Sequence, residues 1–447
     1  MSTVYEMYKE KLVSADEAVK IVKDGDWVDW SQTCSYPAAL DAALARRVGD
    51  LKDVKVRSAI SMNPIQVVEQ DPEMESFTYN LWHMSGIDRK YADQGRAFFS
   101  PMLFRYCGSY YEKGLAKVNV AMVTVAPMDE HGNFSFGLTN CCQQEVLDAA
   151  EHIILEVNPT MPVIYGARRD HINIADVDYV VENNDTPIPT TKNPAANEID
   201  QKIAMNIFPY LTDGITLQLG IGGMPNSLGT LIAESDLKDL GMHTELISDG
   251  YLNLYKAGKI TNKKKELDNG KGVFSICNGS RELYDFMDKN FDIMSAPMSY
   301  VNDPYTIKQF KNFVSINGCM NMDLYGQVCS ESAGTRQISG TGGQLDFVTG
   351  AYMSEHGKAF LAMASTFTDK KGVVHSRILP KFSDGSIITT PRTQAPYMVT
   401  EYGVANLSGL TAWERAEAII GIAHPDFREE LIAAAEEQRI WRKSNKR

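Results

Sequence analysis

No apolar run in this sequence is long enough to suggest a membrane span. Stretches such as AMVTVAPM and AFLAMAS stop well short of the roughly 18 residues a bilayer helix needs. The N-terminal stretch MSTVYEMYKEKLVSADEAVK lacks the apolar core of a secretory signal and carries acids instead. Positive charge is also in deficit. Lys and Arg number 44 against 57 Asp and Glu, a net charge of −13, which opposes general binding to nucleic acid or to an anionic membrane surface. A small anionic ligand stays possible, because it needs only local donors. Histidine is scarce, with eight residues and no H-E-x-x-H. The seven cysteines (Cys34, Cys107, Cys141, Cys142, Cys277, Cys319 and Cys329) are odd in number and contain no C-x-x-C pair. No structural or catalytic metal is expected from this inventory. The thiols read as buried and reduced, and the expected compartment is the cytoplasm.

What is present is ample apolar material. The 447 residues are 44% hydrophobic, enough for two or three domains at roughly 150 residues each. Short β-branched runs alternate with helical patterns. VNVAMVTVAPM (118–128), HIILEVN and MPVIYGA read as strands, and CCQQEVLDAAE (141–151) as a helix. This alternation predicts α/β architecture with largely parallel sheets. The rhythm lapses in VENNDTPIPTTKNPAANEI (181–199), rich in Asn, Pro and Thr. The expected organisation is therefore an N-terminal domain over 1–185, a linker over 186–199 and a C-terminal domain over 200–447. The last segment is helical. Trp413, Ala416, Ile420 and Ala423 share one face, and Pro425 ends that helix and starts another. No repeat of short fixed period occurs.

Two glycine turns carry the chemical interest. In ITLQLGIGGMPNSLG a buried strand runs into Gly220, Gly222 and Gly223 before a helix. In QISGTGGQLDFVTG, Gly340, Gly342 and Gly343 precede a second helix beginning near Gln344. Such turns let a ligand approach the backbone, with helix N–H groups pointing outward. Neither fits G-x-G-x-x-G, because Pro225 and Leu345 stand where the last glycine should be, and no Walker Gly-Lys-Ser/Thr follows. Two turns of one design could line both walls of a cleft at the carboxyl ends of parallel strands. SINGCMNMDLYGQV (315–328) reads as two short strands with a bend. KITNKKKELDNGKG (259–272) reads as a solvated basic loop that could also meet a phosphate.

Five acids sit near these turns: Glu245, Asp249, Glu331, Asp346 and Glu401. Spacing alone does not choose among them. Glu245 lies within the apolar strand of GMHTELISDG, where a carboxylate needs a partner or a purpose. His243, two residues earlier, points to the same face of a strand and either orients that carboxylate or fills space.

In combination these segments are more specific than any one of them. LQLGIGGMPNSLG, LGMHTELISDG, DLYGQV, ESAGTRQISGTGGQLDFVTGAYMS and VTEYGVANLSGLT occur in this order, and the chain resembles the family I CoA-transferases over nearly its whole length. WHMSGIDRK and AESDLKDLG point to the branch that exchanges CoA between butyrate and acetate, with 4-hydroxybutyrate or propionate as other acyl groups. The resemblance implies two α/β domains with the site in the cleft between them, and acyl-CoA and short-chain carboxylates as substrates. It implies no permanent cofactor and a homodimer or higher oligomer. It assigns a covalent glutamyl-CoA thioester to Glu245, and CoA binding to Gly220, Ile221, Gly222, Gly223, Met224, Met320 and Gly343. Contact at Met320 would run through backbone. The nucleophile is expected to be an anion at neutral pH, as ordinary carboxylates are. The two glycine turns would supply oxyanion donors.

Overall fold

The computed structural model describes residues 3–166, 169–192 and 195–444. Two large sheets dominate. The first runs, edge to edge, through the strands Ala97–Phe99, Phe77–Leu81, Val54–Ala59, Trp27–Gln32, Val120–Val125, His152–Val157 and Tyr179–Glu182, all paired parallel. The second runs through Ile293–Ser295, Gly272–Cys277, Gly241–Ile247, Thr216–Leu219, Phe313–Gly318, Lys358–Ala362, Tyr397–Thr400 and Gly403–Asn406. Only its last pairing is antiparallel. Val120–Val125, Thr216–Leu219 and Gly272–Cys277 are buried throughout, as parallel strands covered on both faces must be. In each sheet the first strand lies inside, with the next three on one side and later ones on the other. That reversal makes a crevice at the carboxyl ends of the central strands.

Local chemistry starts several helices where the fold needs them. Capping boxes open the helices at Thr3/Glu6, Ser85/Asp88, Asn197/Asp200 and Thr411/Glu414. The terminal helix Ala412–Gly421 buries Ala416 and Ile420, with Trp413 half-buried, and Ala423 is buried in the short link to the helix Pro425–Glu437. No described helix is long and apolar enough to cross a membrane.

The two halves share their interior. Cys34, Ala126, Leu138 and Ile164 of the first pack in one cluster with Leu228, Tyr251 and Phe274 of the second. Ala59, Trp82 and Phe104 pack with Ile276 and Met298 in another. Between Glu182 and Glu198 the described chain forms no helix or strand. It is nonetheless anchored, with Ile188 buried and Pro189 accepting from the Tyr284 hydroxyl.

Two expectations are corrected. MPVIYGA is not a strand. Pro162 has no N–H to give to a ladder, and the backbone carbonyls of Val163 and Tyr165 accept from Lys289 and Ser295 of the second half. Nor are all seven cysteines free thiols. Cys107 and Cys142, 35 residues apart, form a disulfide. They meet because the helices Cys107–Glu112 and Gln143–Ala149 pack together, a pairing invisible to a search for local C-x-x-C spacing. Among the described residues these two and Cys141 are the one grouping with metal-ligand spacing.

Candidate active site

Strand register brings the first glycine turn to Glu245. Thr216 pairs with Gly241 and Leu217 with Met242, so the same register continued sets Gly220 level with Glu245. On the other side Leu219 pairs with Ile316, which sets Asn317 level with Gly220. The Gly220 N–H donates to the Ile316 carbonyl at 2.8 Å. Gly222 has φ +119°, a conformation that side chains oppose. Ile221 is 59% exposed at the tip, and Met224 is buried in the first turn of the helix Gly223–Glu234. Among the described residues no side-chain hydrogen bond caps that helix.

The second turn closes on Glu245 from the opposite wall. Gly343 precedes the helix Gln344–Met353, and its N–H donates to the Glu245 carboxylate. The approach is so close that a Cβ on Gly343 would lie 2.1 Å from Glu245 Oε2. The Asn302 amide, at the end of the short helix Met298–Val301, donates to the same oxygen at 2.5 Å. Asn302 is itself fully buried. The carboxylate therefore faces two fixed donors and the positive end of a helix.

The first half builds the roof. His83 is half-buried against Gly340 and Gly342, and the Phe104 N–H donates to the Gly342 carbonyl at 3.3 Å. Arg105 reaches across to Asp346 at 2.7 Å. Burial lowers the His83 pKa to about 4, so it stands there as a neutral ring.

Burial also acts on the acids. It pushes Glu245 up to about 7, against the opposing pull of Asn302 and Gly343. Asp346 is likewise raised to about 7 by burial and by the nearby Glu245 charge, with Arg105 pulling the other way. Glu245, whose carboxylate the sequence led us to expect as an anion well below neutral pH, is thus only partly ionised near pH 7 in the empty site. Any rate that depends on its ionised form should rise about tenfold per pH unit up to about pH 7 and then level off. A limb inflecting in the ordinary carboxylate range would contradict this.

The remaining sequence candidates separate cleanly. Asp249 accepts from the Ser280 N–H and hydroxyl. Glu331 is buried and takes Thr341 of the second turn at 3.2 Å. Glu401 accepts from the Ser365 N–H and hydroxyl at 2.8 and 2.6 Å. Asp346 alone joins Glu245. His243 fills space: its ring packs 4.8 Å from Phe310, Nε2 lies 2.8 Å from the Val301 carbonyl, and burial lowers its pKa to about 3. Met320 lies half-buried beyond the turn. Its N–H donates to Cys329 and its carbonyl accepts from Arg377, so its side chain is freer for a ligand than its backbone. The basic loop is solvated at Lys263 and Lys264, but Lys265 turns inward. Its ammonium donates to the carbonyls of Met242 and Lys271 and props the strand carrying Glu245. Asn302, Arg105 and His83 went unnoticed in the sequence. Asn302 precedes Asp-Pro and reads as an ordinary helix stop, and no local pattern marks the other two.

The N-terminal and C-terminal domain models of the acetyl-CoA hydrolase/transferase family match residues 1–192 and 279–435. The chain belongs to the acetyl-CoA hydrolase/transferase family. Butyryl-CoA:acetate CoA-transferase of Anaerostipes caccae is 47% identical over 99% of both chains. 4-Hydroxybutyrate coenzyme A transferase of Clostridium kluyveri, another family relative, is 39% identical over 96% of this chain and 97% of the relative. The crystal structure of RipA from Yersinia pestis superposes with a TM-score of 0.90 at 34% identity, over 98% of this chain and all of RipA.

Proposed function

We propose that this chain is a butyryl-CoA:acetate CoA-transferase acting through a glutamyl-CoA thioester on Glu245. The carrying observation is the Glu245 carboxylate held between the Asn302 amide and the Gly343 N–H. The Anaerostipes caccae relative supports the acyl group and acceptor. Ionised Glu245 attacks the butyryl-CoA carbonyl, and CoA thiolate leaves a mixed anhydride. The thiolate then attacks the glutamyl carbonyl, breaking its bond to butyrate, which departs. Acetate attacks the resulting thioester and expels the thiolate. The thiolate takes the acetyl group from the new anhydride, giving acetyl-CoA and restoring the carboxylate. The cycle is ping-pong.

The donors fit the steps in which the glutamyl carbon itself becomes tetrahedral. Its oxygen then carries the charge between Asn302 and Gly343, where one such donor is typically worth about 3–4 kcal/mol. The turn Gly220–Gly223 with Met224, together with Gly343 and Met320, binds CoA. Remote binding of the long CoA handle holds thiolate and anhydride together, which can remove about 7–11 kcal/mol of barrier. No metal or bound cofactor is needed in these steps. Residues 1–185 and 200–447 act as the two walls of the cleft, and the enzyme works as a cytoplasmic homo-oligomer.

The test is intact-protein mass spectrometry after mixing with butyryl-CoA and no acceptor. A CoA-sized adduct should form and map to Glu245, and acetate should discharge it as acetyl-CoA. No adduct, or one elsewhere, overturns the reading. Butyrate released at the same rate without acetate would make the protein a hydrolase. A panel of propionyl, butyryl and 4-hydroxybutyryl donors ranks the acyl groups, and butyryl should lead.

A further inference from the structure

The first half places an imidazole beside the nucleophile. His83 follows the strand Phe77–Leu81 and is half-buried. A Cβ on Gly342 would point into a gap whose nearest borders are His83 Nε2 at 3.7 Å and Glu245 Oε1 at 3.9 Å. Gly342 has φ +57°, where side chains are disfavoured, so the gap stays open. The two oxygens of Glu245 differ accordingly. Oε2 takes the Asn302 amide and is crowded by Gly343, while Oε1 borders the gap opposite the imidazole.

The ring is fixed in place. Phe104 packs against it with ring centroids 5.5 Å apart. A Cβ on Gly340 would lie 2.8 Å from its Cδ2, and the His83 carbonyl accepts from the Ile60 N–H at 3.4 Å. Its nitrogens are unequal. Nδ1 is enclosed with no hydrogen-bond partner, so a proton there would be a stranded donor. The Met84 backbone acts on the ring, yet no acceptor meets Nδ1 in bonding geometry. The proton therefore belongs on Nε2, at the edge of the gap. The ring stays neutral, so it donates a hydrogen bond without adding charge.

Resting on the reading of Glu245 as nucleophile, we propose that His83 is a catalytic residue whose Nε2–H holds the oxygen of the acyl group while Oε1 bonds to the acyl carbon. When Oε1 attacks butyryl-CoA, the carbonyl π pair moves onto the acyl oxygen. Nε2–H meets that charge and keeps its proton. Collapse returns the pair and expels CoA thiolate, leaving the mixed anhydride. Acetate attacking the glutamyl thioester sets its second oxygen on the same donor. Acetyl-CoA then forms by the reverse of the first attack. Asn302 and Gly343 serve the glutamyl oxygen, so each carbonyl of the anhydride is held from a different half of the molecule.

His83→Phe keeps a flat ring and removes the donor. Adduct formation from butyryl-CoA should slow about 100-fold or more, and discharge of the adduct by acetate likewise, with the melting temperature unchanged. Discharge by hydroxylamine should keep its wild-type rate, because that nucleophile brings no acyl oxygen. His83→Gln reaches the Nε2 position with an amide N–H and should return acetate discharge to within about tenfold of wild type. His83→Asn, whose amide ends near the Nδ1 position, should not. Wild-type acetate discharge in His83→Phe overturns the proposal. So does equal slowing with hydroxylamine, which packing alone would produce. If that variant does not fold, equal acetate rates in His83→Gln and His83→Asn overturn it. No adduct in the wild type would instead fail the reading of Glu245 itself.

Discussion

Glu245→Ala should leave at most a trace of CoA transfer, with the fold intact. The methyl group cannot form the thioester, and among the described residues no other carboxyl stands where it could substitute. Asp346 is turned toward Arg105, and Glu331 and Glu401 are tied up by other partners. Retention of more than a few per cent of wild-type activity would refute the assignment. Stability should move the other way. A carboxyl whose pKa rises from 4.5 to about 7 on folding binds more protons folded than unfolded, so its share of stability is lost as pH climbs through that window. At about pH 8 the penalty is complete, and amounts to roughly 3 kcal/mol at most, less because the site is partly open. Glu245→Gln removes it. That variant should therefore melt a few degrees higher than wild type at about pH 8 and level with it near pH 4. A lower melting temperature at high pH would show that the carboxylate stabilises the empty site.

Gly343→Ala should reduce kcat by about 100-fold or more while barely altering the melting temperature. The added methyl would meet Glu245 Oε2 at 2.1 Å and Asn302 Nδ2 at 2.3 Å. Real contacts of that length do not exist, so the nucleophile or its donor must move. The backbone itself imposes no such demand, since Gly343 has φ −99°, which alanine adopts freely. The loss is thus steric and local to the chemistry. Wild-type turnover in this variant would mean that the carboxylate does not work from the position observed.

The sequence showed the parts that depend on local pattern. β-branched runs made the strands legible, and clustered glycines marked both turns. Glu245 stood out because a carboxylate within an apolar strand is unusual. What stayed hidden depends on residues far apart in the chain. Asn302 matters because its helix end falls beside Glu245, and Arg105 because it crosses 241 residues to Asp346. The Cys107–Cys142 pairing was hidden for the same reason. The raised pKa of Glu245 was missed because it comes from enclosure by both halves, and residue type alone supplies only the solvent value. His243 shows the converse. It shares a strand face with Glu245, yet three aromatic rings surround it and no bond links the two.

The two large sheets follow one winding order around an inner first strand, although no periodic repeat survives in the sequence. Likeness of winding does not make the halves separable. Apolar side chains from each half complete the interior of the other, so parting them would expose core to water. The crevice is therefore a product of the packed state of both halves together.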